Sequence, residues 1–440
     1  MFKSREASFA GFRDIFGRDA RTYSYLSSLL AELFQLWGYE QIRLSLIENI
    51  ESFSEKIVGG SPWPEWNSKC SFCLNIEDYQ NSYTDMPISI RALLVPEGTI
   101  SVSRWLANQV GEIGDRSKLL FPLKVFYVVP CFRNEPIRNL SSAKQRSFTQ
   151  AGIEIIGASN KYADLETMLL IAEGIKTIGI PSENISIRIG DIRIFNYLCK
   201  ESRISGDDVI VLKEALDAMA ESRAGDDLLR LKNETNNAKN ILTRYGINGA
   251  LQKKWELCFS GWRDQISYKE LEMIRDCTES VSDLNYINTQ LRRHGINSKI
   301  DLSVVRSHEY YTGIVYEVDA KVNGKTIIEI AGGGRYNKLI GHFIDDKISV
   351  PAIGFAYGLE RMDAIFGQTQ DTVRVQHWLS DKSADVVVYG GEEKFFGALN
   401  YARQARANHL RSDVYVGDSL SEEAARCYSE TKGIKMEVIL

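Results

Sequence analysis

No apolar run in these 440 residues approaches the roughly 18 that a membrane-spanning helix needs. The opening MFKSREASFAGFRD has no apolar stretch of the kind a secretory signal carries, so a cytoplasmic protein is expected. Positive charge is not in excess: 53 Lys and Arg against 58 Asp and Glu leave a net charge of −5. No overall basic field therefore advertises nucleic acid, although a local basic groove can sit on an acidic chain. Seven cysteines in a chain this long make no disulfide framework. Cys70 and Cys73 form one CxxC, but no second ligand pair stands at zinc-site spacing. Cys131, Cys199, Cys258, Cys277 and Cys427 are scattered singly. We read reduced thiols and no metal site of the protein's own. Internal repeats and low-complexity tracts are also missing.

What is present is an ordinary globular balance, 44% apolar and 25% charged, in a chain long enough for two or three domains. Residues 21–37 place Leu26, Leu29, Leu30, Leu33, Phe34 and Trp37 at helical spacing, and Gly38 ends that helix. Ile42, Leu44 and Leu46 then alternate, which predicts a strand. Residues 60–90 read as a long irregular excursion. The stretch 124–157 predicts two antiparallel strands, KVFYVVPCFRNE and RSFTQAGIEIIG, joined by a polar loop. From about 195 to 300 the pattern is helical, and strands resume at DLSVV, GIVYEVDA and KTIIEIAGGGRY. A glycine-led helix is expected from about Gly354. We therefore expect an α+β fold. A first part of the core spans 1–195, a helical insertion 196–300 and a second part of the core 301–366. A polar linker follows at 367–383, and a small α/β module at 384–440.

Four segments carry residues that a simple core would not choose. On the return strand, Arg146, Phe148, Gln150, Gly152 and Glu154 share one face, while Thr149, Ala151, Ile153 and Ile155 share the apolar one. Arg133 and Glu135 share a face at the end of the outgoing strand. Arg306 and Tyr310 pair in the same way, followed by Tyr311. The three glycines of AGGGRY are poor packing material and suggest close approach of the backbone to a ligand or another chain. Gly354 and Gly358 stand four apart, with Arg361 beyond them. Taken singly, each segment has a plainer explanation: an exposed sheet face, a tight turn, a surface arginine. Their occurrence together and in this order is far more specific.

Those segments resemble the signatures of histidine–tRNA ligases, a branch of the class II aminoacyl-tRNA synthetases. GYEQIRLSLIE (38–48) resembles the first class motif, VVPCFRNE with RSFTQAGIEIIG the second, and PAIGFAYGLER the third. VPEGT (95–99), RSHEYYTG (306–313) and AGGGRY (331–336) resemble segments of the histidine branch. The resemblance implies a class II antiparallel sheet flanked by helices, a homodimer, and use of ATP and Mg²⁺ to activate histidine. It implies that Arg133 contacts the α-phosphate and the substrate carboxylate, with Arg306 opposite as the catalytic arginine. Glu135 would touch adenine or hold its loop, Arg361 would clamp the γ-phosphate, and Lys144 and Arg146 would assist ATP. A guanidinium is permanently charged and forked, which suits phosphate oxygens. Glu97, Thr99 and Gln150 match positions that hold the α-ammonium. Glu154, Tyr311 and Tyr336, with Tyr310 beside them, match positions around the imidazole.

This sequence departs from the family pattern in several places. Val95 stands where arginine is usual, Ser45 where proline is usual, and Ser307-His308-Glu309 replaces Gly-Leu-Asp. Lys144 stands near a family arginine. The loop 136–146, which would meet the acceptor end of tRNA, is long. The last module resembles an anticodon-binding domain ending at its third strand, KMEVIL. FTQAGIEIIG and IRIGDIRIF also look like the regulatory subunit of ATP phosphoribosyltransferase, a paralogue without catalysis. Three readings follow: a tRNA-charging ligase, a paralogue that activates an amino acid for a non-tRNA acceptor, and a non-catalytic regulatory subunit.

Overall fold

A computed structural model describes residues 9–58, 71–78, 88–112, 121–134, 145–224, 227–260, 266, 268–306, 310–322, 325–366 and 384–439. The chain divides into two compact units, Met1–Arg13 with Leu26–Gln370, and Asp14–Tyr25 with Asp371–Leu440.

The strands of the larger unit are β1 (Glu40–Gln41), β2 (Ile47–Asn49), β3 (Cys73–Asp78), β4 (Ile88–Leu94), β5 (Leu123–Phe132), β6 (Ser147–Ile156), β7 (Ile185–Asp191), β8 (Asn297–Ile300), β9 (Ile314–Val322), β10 (Lys325–Arg335) and β11 (Ala352–Gly358). Its helices are α1 (Arg18–Leu36, which belongs to this unit from Leu26 onward), α2 (Glu55–Val58), α3 (Gly98–Glu112), α4 (Lys161–Thr177), α5 (Ile192–Glu201), α6 (Asp207–Ala224), α7 (Leu228–Arg244), α8 (Gly249–Ser260), α9 (Tyr268–Leu271), α10 (Thr278–Arg293), α11 (Leu339–His342) and α12 (Leu359–Phe366). Eight strands make one sheet in the order β1-β5-β6-β11-β10-β9-β7-β8. Its two outermost pairs are parallel and the others antiparallel. A second sheet has the order β2-β4-β3. The expected antiparallel sheet flanked by helices is thus present.

The apolar stripe of α1 explains its place. Leu26, Leu30 and Phe34 are wholly buried, and the Phe34 ring stacks on Tyr357 of β11 at 6.4 Å. Gly38 then takes φ +82° and releases the chain into β1. On the same side, the side chain of Asn160 accepts hydrogen bonds from the backbone N–H groups of Tyr162 and Ala163 and caps α4. The Tyr357 hydroxyl donates to the Ile171 carbonyl of that helix at 2.6 Å.

Three expectations need correction. Residues 42–46 are not a strand: after β1, the Ser45 hydroxyl donates to the Ile47 carbonyl at 2.9 Å and turns the chain. Residues 352–358 form strand β11, not a helix, and the helix begins only at Leu359. β11 lies mid-sheet between β6 and β10, and a strand buried on both faces loses the alternation that betrays one. Residues 301–305 form a turn rather than a strand, because Asp301 accepts hydrogen bonds from the Ser303 N–H and the Val304 N–H. The strand there is β8, just before. Within the 60–90 excursion, β3 and the start of β4 are regular strands. Residues 59–70 and 79–87 of that stretch, including Cys70, lie outside the described residues.

The smaller unit contains β12 (Val386–Tyr389), α13 (Phe395–Ala407), β13 (Ser412–Val414), α14 (Glu422–Thr431) and β14 (Lys435–Val438). The parallel order β13-β12-β14 follows from two strand-to-strand crossovers through helices. Val388 packs on Ala398 and Ala402 on one face, and Val387 packs with Ile434 on the other. No helix among the described residues is long and apolar enough to cross a membrane.

Candidate active site

Glycines open a cleft over the middle of the large sheet. β10 pairs with β11 so that Gly333 faces Phe355 and Gly334 faces Gly354, and Gly354 in turn faces Glu154 of β6. A Cβ at Gly332 would collide with the Arg306 guanidinium, and one at Gly354 with the Glu154 carboxyl. The glycine run is therefore required by close packing of the Arg306 and Glu154 side chains on the backbone.

One end of the cleft is built around buried carboxyls. Glu97 accepts hydrogen bonds from the backbone N–H groups of Ile100 (2.8 Å) and Thr99 (3.2 Å), and so caps the N-terminus of α3. Burial pushes its carboxyl up, against the pull of the Ile100 N–H and of Arg133. Gln150 accepts from the Gly98 N–H at 2.8 Å. Glu154, wholly buried, accepts hydrogen bonds from the Tyr336 hydroxyl at 2.6 Å and the Tyr127 hydroxyl at 3.3 Å. Burial pushes Glu154 up to about 8, with the Tyr336 bond opposing. The Tyr310 and Tyr311 rings lie 4.7 Å apart, and Tyr310 meets Tyr336 edge to face at 6.0 Å. This end offers a carboxyl and phenol hydroxyls to a small polar ring, with Glu97 and Gln150 nearby.

Three guanidinium groups line the same cleft. Arg133 follows β5, donates through Nε to the Pro96 carbonyl at 3.0 Å and lies over the Phe148 ring at 4.9 Å. Arg306 takes φ +45°, and its Nη1 stands 3.4 Å from Glu317 Oε1. Arg361, in the first turns of α12, pairs with the Glu329 carboxylate at 3.3 Å and also donates to the Glu329 carbonyl. Glu360 accepts the Thr149 N–H through both carboxylate oxygens. The two arginines beyond β5 are thus held by carboxylates, from which a more strongly anionic ligand can draw them.

Arg133, Arg306, Arg361, Glu97, Thr99, Gln150, Tyr310, Tyr311 and Tyr336 all line this one cleft, although they come from distant stretches of chain. Glu154 lies directly beneath it, bonded to Tyr336. Arg146 lies apart: its guanidinium donates to the Ala10 carbonyl at 3.3 Å and lies over the Phe9 ring at 5.6 Å. Glu135 and Lys144 lie outside the described residues. Sequence reasoning missed Glu317, Glu329 and Tyr127. Glu317 and Asp319, two apart on an otherwise apolar strand, carried a signal, since buried acids need partners. Tyr127 carried none, because only the fold reveals that its ring occupies the space over Gly98 and Gly152.

The family described as histidyl-tRNA synthetase matches residues 11–362. The histidine–tRNA ligase of Sulfolobus acidocaldarius is 26% identical over 365 residues, covering 83% of this chain and 76% of the relative. The ATP phosphoribosyltransferase regulatory subunit of Moorella thermoacetica is also 26% identical, over 440 residues, covering 98% and 97%. The Bacillus halodurans structure described as an ATP phosphoribosyltransferase regulatory subunit/histidyl-tRNA synthetase superposes over the whole of both chains with a TM-score of 0.71 at 18% identity. The apo S. aureus histidyl-tRNA synthetase covers all of this chain and 91% of its own, with a TM-score of 0.62 at 20% identity. At these identities the two structures speak for the fold. The family match, which spans most of the chain, speaks for descent: this protein belongs to the histidyl-tRNA synthetase family.

Proposed function

We propose that this chain is a cytoplasmic ligase that activates histidine with ATP, releasing pyrophosphate, and passes the histidyl group to tRNA. The observation that carries the reading is the shared cleft, whose lining brings three guanidinium groups together with Glu97, Gln150 and three tyrosines, over a Glu154 held by tyrosine hydroxyls.

In this reading the imidazole lies against Glu154 and Tyr336, with Tyr310 and Tyr311 beside it. Glu97, Thr99 and Gln150 hold the α-ammonium. The histidine carboxylate oxygen attacks the α-phosphorus, the new O–P bond forms, and the bond to the β-phosphate oxygen breaks. Two anions must approach, so the main requirement is fixed positive charge and alignment rather than proton transfer. Arg133 and Arg306 flank the α-phosphate, and Arg361 holds the γ-phosphate. Glu135, Lys144 and Arg146 belong to the same assignment for the nucleotide. Among the described residues no group of three or more His, Cys, Asp or Glu is arranged to hold a metal. Mg²⁺ arrives on phosphate oxygens and needs only one or two carboxylates; Glu329 and Glu360 line the cleft. When bound, Mg²⁺ offsets charge on the phosphates.

A second reading, a regulatory subunit working with an ATP phosphoribosyltransferase, is favoured by the near end-to-end match to such a subunit. Histidine-dependent exchange between ATP and labelled pyrophosphate separates the two. Robust exchange, lost in Arg306→Ala with the fold intact, is the expected result. No exchange, together with histidine-dependent control of a transferase catalytic subunit, would overturn the ligase reading. Transfer of labelled histidine to bulk tRNA then tests the acceptor, and exchange without transfer would point to another one. We also assign a homodimer. The small sheet exposes Ile47, Ile76 and Ile90, an apolar face that a second copy would cover. A monomer by light scattering at micromolar concentration would refute this.

A further inference from the structure

Arg188, Glu317 and Asp319 form a buried set of charges that the reaction above does not use. Arg188 is on β7, 3% exposed, and its register partner on β9 is Glu317. Its Nε donates to Asp319 Oδ2 at 2.8 Å, and its Nη2 lies 2.9 Å from Glu317 Oε2. From there two paths lead forward. Glu317 Oε1 meets Arg306 Nη1 at 3.4 Å. Asp319 Oδ1 accepts the backbone N–H of Glu329 at 2.9 Å, and Glu329 holds Arg361. The network therefore runs Arg306–Glu317–Arg188–Asp319–Glu329–Arg361, three guanidinium groups against three carboxylates.

Local structure explains why the path closes. Glu317 and Asp319 are two apart on β9 and share a face. The register between β9 and β10 shifts between Ile327 and Ala331, and Glu329 inside that shift takes φ +50°. Its N–H leaves the ladder and turns to the Asp319 carboxylate. Only a forked side chain can bind Glu317 and Asp319 at once, which is why Arg188 is suited to the place and lysine is not.

We propose that Arg188 is a positioning residue for phosphoryl chemistry. Through Glu317 on one side and Asp319 with Glu329 on the other, it fixes where the Arg306 and Arg361 guanidinium groups stand. The proposal rests on the adenylate-forming reading for its kinetic consequence, though not for its structural one. Arg306 stays able to turn: its contact with Glu317 is long at 3.4 Å, and its Nε is buried without a hydrogen-bond partner among the described residues. When Arg306 turns to a phosphate, Glu317 keeps Arg188 and is not left as an unpaired buried charge beside the triphosphate.

The test uses the full chain with Arg188→Met and Arg188→Lys. In pyrophosphate exchange, Arg188→Met should lower kcat/KM for ATP on the order of 10- to 100-fold. KM for histidine should stay within about twofold, because Glu154 and Tyr336 are outside the network. Arg188→Lys, able to hold one carboxylate, should fall between. Parallel losses for both substrates, or none for ATP, would overturn the proposal. Should Arg188→Met not fold, Arg188→Met/Asp319→Asn leaves Glu317 paired with Arg306 and should give the same split. A second measurement needs no activity: phenylglyoxal labelling of Arg306, followed by peptide mass spectrometry, should be several-fold faster in the variant. An unchanged rate in the folded variant refutes positioning. Wild-type protein without exchange would sink the ligase reading alone, and the labelling result would still decide this one.

Discussion

The sharpest test of the cleft is Glu154→Gln, which keeps the side chain's shape and removes its titration. Burial raises the Glu154 carboxyl from an ordinary 4.5 to about 8. The folded value lies above the unfolded one, so the native state holds a proton that the unfolded chain gives up between those limits. The stability associated with that proton is fully present below about pH 4.5 and is lost as pH rises through about 8. Each unit is worth about 1.4 kcal/mol. From this group alone, wild type should lose about 3 kcal/mol between pH 4.5 and 7, and about 5 kcal/mol by the alkaline limit. Glu154→Gln should not show that loss. Other titrating groups, including Glu317, are common to both proteins and cancel in the difference. Urea unfolding of the two at pH 5, 6, 7 and 8 without ligand should give curves that diverge, with the variant gaining on wild type as pH rises. The same variant should bind histidine about two- to tenfold more weakly, since a hydrogen bond between neutral partners contributes about 0.5–1.5 kcal/mol. Stability curves that run parallel from pH 5 to 8 would refute the argument, because they would mean the carboxyl titrates as it does in water.

Four further results are expected. Tyr336→Phe removes the 2.6 Å bond to Glu154 and should raise KM for histidine about tenfold while leaving KM for ATP unchanged; equal shifts in both would argue against the assignment. Gly354→Ala drives a methyl into the Glu154 carboxyl and should cost about 1–3 kcal/mol in urea unfolding, with histidine binding lost. Arg335→Met leaves Asp164, its buried partner at 2.7 Å, without a counter-charge and should cost about 3–5 kcal/mol; a shift under 1 kcal/mol in the denaturation midpoint, converted by the usual slope, would contradict it. Arg306→Ala should abolish pyrophosphate exchange yet leave the melting temperature within a few degrees, which calorimetry can check.

Much of this architecture was legible where one face of an element meets solvent. The stripe of α1 and the hairpin of β5 and β6 announce themselves through period 3.6 and period 2. β11 did not, since Gly354 and Gly358 at a spacing of four imitate a helix while both faces of the strand are covered. Ile42, Leu44 and Leu46 alternate like a strand, but the short ladder of β1 stops at Ile42 and a serine hydroxyl then turns the chain. In the cleft, the arginines and tyrosines stood in recognisable segments and do line one hollow. The carboxylates that hold those arginines were hidden, because pairing depends on the fold: Arg188 and Asp319 are 131 positions apart, and no local spacing joins them.

The Tyr127 ring, pressed against Gly98 and Gly152 and bonded to the Glu154 carboxyl, makes the bottom of the cleft a solid plug. The depth available to a ligand side chain is therefore decided from underneath, by a residue no ligand meets. Trimming that plug, rather than recarving the visible walls, is the economical route to admitting a bulkier guest.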